Sequence, residues 1–138
     1  MPELTVRECM HEGVIACAPD TPVEEVAETM QARGISALVV VAGGRAVGVI
    51  SKTDLVNVAF IAPYMRHWRG MTARHLMTSP VVSVGPDTPF ADAVRLLDER
   101  HIHRLVVTGD GERPIGILSL TDVARVVSAR TAGNEARS

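Results

Sequence analysis

Two short segments of the chain carry side chains suited to a ligand with hydroxyl groups and negative charge. They are Gly48-Val49-Ile50-Ser51-Lys52-Thr53-Asp54 and Gly116-Ile117-Leu118-Ser119-Leu120-Thr121-Asp122. Each places a serine hydroxyl, a threonine hydroxyl and a carboxylate just after an apolar, β-rich run. A helix that starts at the serine presents free N–H groups, and these together with a hydroxyl make a site for phosphate or ribose. The neighbouring carboxylate can accept two hydrogen bonds from a ribose diol, as acidic residues do in dinucleotide sites. The same spacing also describes a capping box, in which Ser-x-x-Asp closes a helix N-terminus on itself and the dipole favours the acid. Capping accounts for the serine and the aspartate. It accounts neither for the preceding glycine, which lets a backbone or a ligand come close to the strand, nor for the hydroxyls of Thr53 and Thr121.

The doubling extends along the chain. Pro19-Asp20-Thr21-Pro22 returns as Pro86-Asp87-Thr88-Pro89, and Leu38-Val39-Val40 returns as Leu105-Val106-Val107. Met10 and Ile35 return as Met77 and Ile102. An internal repeat sets the unit in which the sequence is read. Each copy predicts strand, helix, strand, strand, helix. Val14 to Ala18 and Val81 to Val84 are short β-rich runs. Thr21 is expected as an N-cap, with Pro22 at the first helical position and Glu24 three residues after the cap. The helix faces are Val23, Val26, Ala27, Met30 and Phe90, Ala93, Val94, Leu97. Gly34 suits a left-handed helix end. His101 stands at the matching place, where a different terminus is expected. Ala37 to Val41 and Arg104 to Thr108 fold back through Gly43-Gly44 and Gly109-Asp110-Gly111 onto Ala46 to Ile50 and Pro114 to Leu118. The second helices start near Ser51 and Ser119, with Leu55, Val56, Ala59 and Val123, Val126, Val127 as their apolar positions.

The boundaries that follow are repeat one over 5–59, a linker over 60–71, repeat two over 72–130 and an unordered polar tail over 131–138. Within the linker, Tyr64, Met65 and Trp68 either pack on the body or form a contact surface for a second subunit. A repeat of this size is marginal alone, so the two are expected to share a core. Hydrophobic residues make up 46% of the chain and aromatic residues only 3%, so the core is aliphatic. Few aromatic faces and a net charge of −2 argue against nucleic-acid binding. No apolar run approaches the roughly 20 residues of a membrane span. The N-terminus, Met1-Pro2-Glu3-Leu4, shows neither a basic nor an apolar leader region, so no signal peptide is expected. Cys9 and Cys17 match no disulfide framework and no zinc pattern, which fits reduced thiols in a cytoplasmic protein. No P-loop, HExxH or nucleophile elbow occurs, and no nucleophile–base pair emerges, so no enzyme is expected.

The Pro-Asp-Thr-Pro lead-in and the Gly-x-x-Ser-x-Thr-Asp exit, both doubled, resemble a tandem pair of CBS domains, a Bateman module, from about Thr5 to Ala129. The resemblance implies an α/β fold of two pseudo-symmetric βαββα repeats packed through their sheets. It implies an adenosine-containing ligand in the cleft between repeats, with AMP, ADP or ATP foremost, and no resident cofactor. By motif, Asp54 and Asp122 would hold ribose hydroxyls, and Ser51, Thr53, Ser119 and Thr121 would reach ribose or phosphate. Val14, Ile15 and Ala16, or Val81, Val82 and Ser83, would flank the adenine. His103-Arg104 resembles a phosphate-contacting pair in the γ subunit of AMP-activated protein kinase, a member of the family. Repeat one has Ser36-Ala37 there, so unequal sites are expected, with Arg104 as the phosphate anchor and the stronger site in repeat two. A homodimer and a separate regulated protein chain are the implied partners. The alternative is a protein-interaction module whose Ser-x-x-Asp motifs only cap helices. A metal at His101 and His103 lacks a third ligand nearby.

Overall fold

The structure is a computed structural model and describes residues 3–61 and 70–137. Tyr64, Met65 and Trp68, with the contact surface expected of them, lie outside the described residues. In chain order the elements are α1 (Val6–Cys9), β1 (His11–Glu12), β2 (Ala16–Cys17), α2 (Val23–Arg33), β3 (Ala37–Ala42), β4 (Arg45–Ser51) and α3 (Lys52–Ile61). They continue as α4 (Ala73–Leu76), β5 (Ser83–Val84), α5 (Phe90–Arg100), β6 (Arg104–Thr108), β7 (Pro114–Ser119) and α6 (Leu120–Arg137). The expected strand, helix, strand, strand, helix order occurs twice, as β2-α2-β3-β4-α3 and β5-α5-β6-β7-α6, and the short helices α1 and α4 and the strand β1 come in addition to it. Helix α6 continues through Arg137, where composition predicts an unordered tail. Ala132, Glu135, Ala136 and Arg137 are good helix formers, and no proline interrupts them.

The chain forms two compact units. One comprises Met1–Gly13, Val82–Asp110 and Pro114–Ser138; the other comprises Val14–Val81 with Gly111–Arg113. Within the first, the sheet order is β1-β7-β6-β5, with β6 and β7 antiparallel and β5 parallel to β6. Its core joins Val6 and Cys9 of α1 to Ala93, Leu97, Leu105, Val107 and Leu118. Within the second, β3 lies between β2, which is parallel to it, and β4, which is antiparallel. Val26, Met30, Leu38, Val40, Ile50 and Val58 pack there with Ala73 and Leu76 of α4.

The Pro-Asp-Thr-Pro motif explains this division. Helices α1 and α4 leave their first N–H groups without partners inside the helix. The Val6 and Arg7 N–H groups donate to the carbonyls of Thr88 and Pro86, both at 2.9 Å. In the other unit the Ala73 and Arg74 N–H groups donate to Thr21 and Pro19, at 2.8 and 2.9 Å. The exchange is mutual: Phe90 N–H donates to the Leu4 carbonyl at 2.8 Å, and Val23 N–H to the Met71 carbonyl at 3.1 Å. Each Pro-Asp-Thr-Pro turn is thus a dock for the short helix that opens the other sequence repeat.

Three local expectations change. Thr21 is not the N-cap of α2; Pro22 is, and no side chain caps that helix. Thr21 Oγ1 instead accepts the Ala18 N–H at 3.1 Å, closing the turn before the helix. His101 ends α5 as Gly34 ends α2: both are left-handed, with φ of 53° and 62°. The reason is shared hydrogen bonding. Ile102 N–H reaches the Leu97 carbonyl and Ile35 N–H the Met30 carbonyl, each at 3.1 Å. In α3 Val58 is buried and Leu55 half-buried, while Val56 is 63% exposed and Ala59 is exposed as well, because the helix begins at Lys52 and turns these two outward.

Candidate functional site

Ser51 closes β4 and Ser119 closes β7, and each helix starts at the next residue. The helix starts are fixed by the neighbouring strand. Lys52 N–H donates to the Ser36 carbonyl and Leu120 N–H to the His103 carbonyl, both at 3.0 Å. The side chains then close the capping box. In both junctions the serine N–H donates to aspartate Oδ2 at 2.8 Å and the serine hydroxyl donates to the same oxygen at 3.0 Å. The aspartate N–H returns to the serine Oγ at 3.3 Å. Helix capping is therefore realised in both copies.

The two carboxylates nonetheless differ. Asp54 is half-buried, and among the described residues its Oδ1 has no hydrogen-bond partner. Asp122 is buried, and its Oδ1 accepts a hydrogen bond from Arg125 Nη2 at 3.0 Å. The same Nη2 donates to the Cys9 carbonyl at 2.9 Å. Asn57 stands where Arg125 would fall in the first repeat. Sequence reasoning missed Arg125, although an acid followed by an arginine at i+3 on a helix is a recognisable pair.

Within one unit, Thr53 and Asp54 lie in the first turn of α3, and Ser51 is paired with Ala37 across β3–β4. Val14 and Ile15 are half-buried and Ala16 is exposed; they lead into β2 on the other side of β3, where the Ile15 carbonyl accepts the Val39 N–H at 3.0 Å. Within the other unit, Arg104 is half-buried and paired in register with Ser119, so these two stand side by side at one end of β6–β7. Thr121 is exposed beside Asp122. Val82 and Ser83 flank β6 on its far side, while Val81 falls in the segment of the other unit. His103 is exposed and stands directly before Arg104, the first residue of β6. It lines an open cleft of about 410 Å³ between α5 and α6, with Leu97, Asp98, Ile102, Leu120 and Val123. Among the described residues no group of three His, Cys, Asp or Glu side chains could hold a metal ion.

The glycines have a structural cause after all. A Cβ on Gly116 would stand 2.7 Å from the His11 carbonyl oxygen and 2.8 Å from Met10 Sδ. A Cβ on Gly48 would stand 2.8 Å from Cβ and Cγ of Met77. Met10 and Met77 follow α1 and α4 directly. The glycines thus admit the crossing segment, which pairs with β7 through His11–Glu12 and bridges β4 at Thr78.

The CBS domain family pattern matches residues 6–60 and 73–129. The chain belongs to the CBS domain family. Among curated relatives, inosine-5'-monophosphate dehydrogenase of Halobacterium salinarum is 30% identical over 127 residues, covering 91% of this chain and 24% of that enzyme. An uncharacterised protein of Methanopyrus kandleri is 29% identical over 127 residues, covering 91% of this chain and 64% of its own length. The chain thus spans less than two thirds of the length of either relative. A CBS domain pair solved with 5'-methylthioadenosine and S-adenosyl-L-methionine superposes with a TM-score of 0.83 at 21% identity, covering 94% of this chain and 99% of that one. The CBS protein CBSX2, solved with AMP, superposes with a TM-score of 0.77 at 28% identity, covering 92% and 98%. Among the described residues no helix is long and apolar enough to cross a membrane.

Proposed function

We propose that this chain is a non-catalytic regulatory module that binds an adenosine-containing ligand, foremost AMP, ADP or ATP, at its strand–helix junctions. The observation that carries the reading is the Ser51–Asp54 junction. Ser51 fixes one carboxylate oxygen at a helix N-terminus, and among the described residues the other has no partner, beside the exposed hydroxyl-bearing Thr53. That is an acceptor held ready for a diol. The likeness to AMP-bound CBSX2 supports adenosine as the ligand class. In this reading Asp54 and Asp122 hold ribose hydroxyls, with Ser51, Thr53, Ser119 and Thr121 reaching ribose or phosphate. Arg104 anchors phosphate, with His103 next to it in sequence. Val14, Ile15 and Ala16, or Val81, Val82 and Ser83, flank the base. The module works in the cytoplasm as a homodimer and passes the ligand signal to a separate protein, by favouring the state that binds ligand better.

Calorimetric titration with AMP, ADP, ATP, NAD and S-adenosylmethionine tests it, with Asp54→Ala and Asp122→Ala as controls. Micromolar binding that these substitutions remove is the expected result. The completeness of both capping boxes favours a second reading, a protein-interaction module without nucleotide. No heat at two temperatures, with the variants changing stability only, would establish that reading instead.

A further inference from the structure

We propose that Arg125 is a latch between the Ser119–Asp122 junction and helix α1, and that it makes the two ligand positions unequal in favour of Asp54. This rests on the nucleotide reading above for its second half, whereas the latch itself does not.

The argument is an account of lone pairs. A carboxylate offers about four acceptor sites, two on each oxygen. Ser119 uses both on Asp122 Oδ2, through its N–H and its hydroxyl. Arg125 takes one on Oδ1, which leaves one. The Asp122 side chain is only 9% exposed, so even that one is poorly reached. A vicinal diol donates two hydrogen bonds. Asp54, with the same two bonds on its Oδ2 and Asn57 in place of the arginine, can take both on Oδ1. Asp122 can take both only after Arg125 leaves. Arg125 is free to leave, because its side chain is 62% exposed and its head can pass into water at little cost.

Its departure has a consequence at the other end. The Cys9 carbonyl lies at the C-terminus of α1, where carbonyls lack helical partners and a cation is favoured. Losing Arg125 uncaps that end. Ligand at Asp122 thus loosens α1, which carries the buried Val6 and Cys9. The order of affinity is then the reverse of that expected from Arg104 alone: the Asp54 junction fills first, and the Asp122 junction fills second and reports on α1.

The full chain tests both halves, as wild type, Arg125→Asn, Arg125→Lys and Asp54→Asn. Without ligand, alkylation of Cys9 is followed by mass spectrometry. Arg125→Asn is expected to label roughly fivefold faster, the size of one lost charge-assisted bond at a half-exposed site, and Arg125→Lys to restore most of the protection. An unchanged rate in Arg125→Asn overturns the latch, whether or not any nucleotide binds. With AMP, Asp54→Asn is expected to remove the tighter phase, and Arg125→Asn to tighten the weaker phase by a similar factor. A gain of affinity is not what a merely structural arginine would give. Loss of the tighter phase in Arg125→Asn, or its survival in Asp54→Asn, overturns the proposed order. If AMP gives no heat in any variant, the nucleotide reading and the order of sites fall together, while the Cys9 rate still decides the latch.

Discussion

Alanine at Gly116 is the sharpest single test of how the sequence repeats dock. The backbone there is not left-handed, so an added methyl group brings no φ strain, and its effect comes from contact alone. The Cβ would lie 2.7 Å from the His11 carbonyl oxygen. An ordinary carbon–oxygen approach is about 3.3 Å or more, so β1 must retreat by roughly half an ångström. That retreat strains the β1–β7 pairing, in which Glu12 stands opposite Gly116 and the Gly13 N–H donates to the Ile115 carbonyl at 2.8 Å. Overpacking costs about 1–3 kcal/mol, and a weakened backbone hydrogen bond adds about 1 kcal/mol. Gly116→Ala should therefore lose about 2–4 kcal/mol, a large share of the total stability of an ordinary domain. Gly48→Ala meets the side chain of Met77 rather than a carbonyl. The Met77 Cβ is fixed by its own backbone and no change of rotamer moves it, so a loss of about 2–4 kcal/mol is expected there too. Urea denaturation measures both, from the midpoint at unchanged slope. A Gly116→Ala or Gly48→Ala protein within about 0.5 kcal/mol of wild type would refute the account. If the glycines serve a ligand instead, stability stays and only binding is lost.

His101→Gly should raise stability by about 0.5–1 kcal/mol in thermal melts, because glycine takes the left-handed φ of 53° without steric cost; a destabilised variant would show that the imidazole is needed there. Thr21→Val should cost about 1 kcal/mol through loss of the acceptor for the Ala18 N–H. Thr88→Val should cost less, since among the described residues its hydroxyl has no such bond, and equal losses measured by urea midpoint would contradict this. Burial pushes the Cys9 and Cys17 thiols above their ordinary value of 9.0. The fold then holds these protons more tightly than the unfolded chain does, so their contribution is full below that pH and is lost as pH rises beyond it. Replacing both thiols with alanine should flatten the decline in urea midpoint between about pH 8 and pH 10, and an unchanged slope would count against the burial argument.

The hairpin strands were legible because they combine unbroken aliphatic runs with turns that only glycine-rich sequence supplies. Leu38, Val39, Val40 and Leu105, Val106, Val107 are buried, as such runs predict. The faces of α2 and α5 were legible by periodicity, with Val26, Met30, Ala93 and Leu97 inside. The lead-in strands are shorter than their β-rich runs suggest, because β2 and β5 pair along two residues only. Within the candidate site, the Ser-x-x-Asp geometry follows directly from spacing. Arg125 lies outside the motif, and the glycines, whose spacing suggests a ligand, face a crossing backbone and a methionine instead.

Periodicity reports which segments are alike, and it is silent on which segment a copy docks against. Repeat one begins at Thr5 by likeness, yet the compact unit that contains α2, β3 and β4 begins at Val14 and reaches Val81. The difference follows from polar bookkeeping. A fragment cut as 5–59 would keep the Pro19 and Thr21 carbonyls but lose the Ala73 and Arg74 N–H groups they accept. It would also lose Met77 against Gly48 and the packing of Ala73 and Leu76 on Met30 and Ile50. Buried or half-buried groups left unpaired in this way cost about 1–3 kcal/mol each. A fragment cut as 14–81 keeps all of them. The clue was present in the sequence: Thr5-x-x-Glu8 is a helix start of its own, realised by the Thr5 N–H bonded to Glu8 Oε2 at 2.8 Å. A four-residue helix cannot stand alone, so a helix start this short already implied a dock elsewhere in the chain.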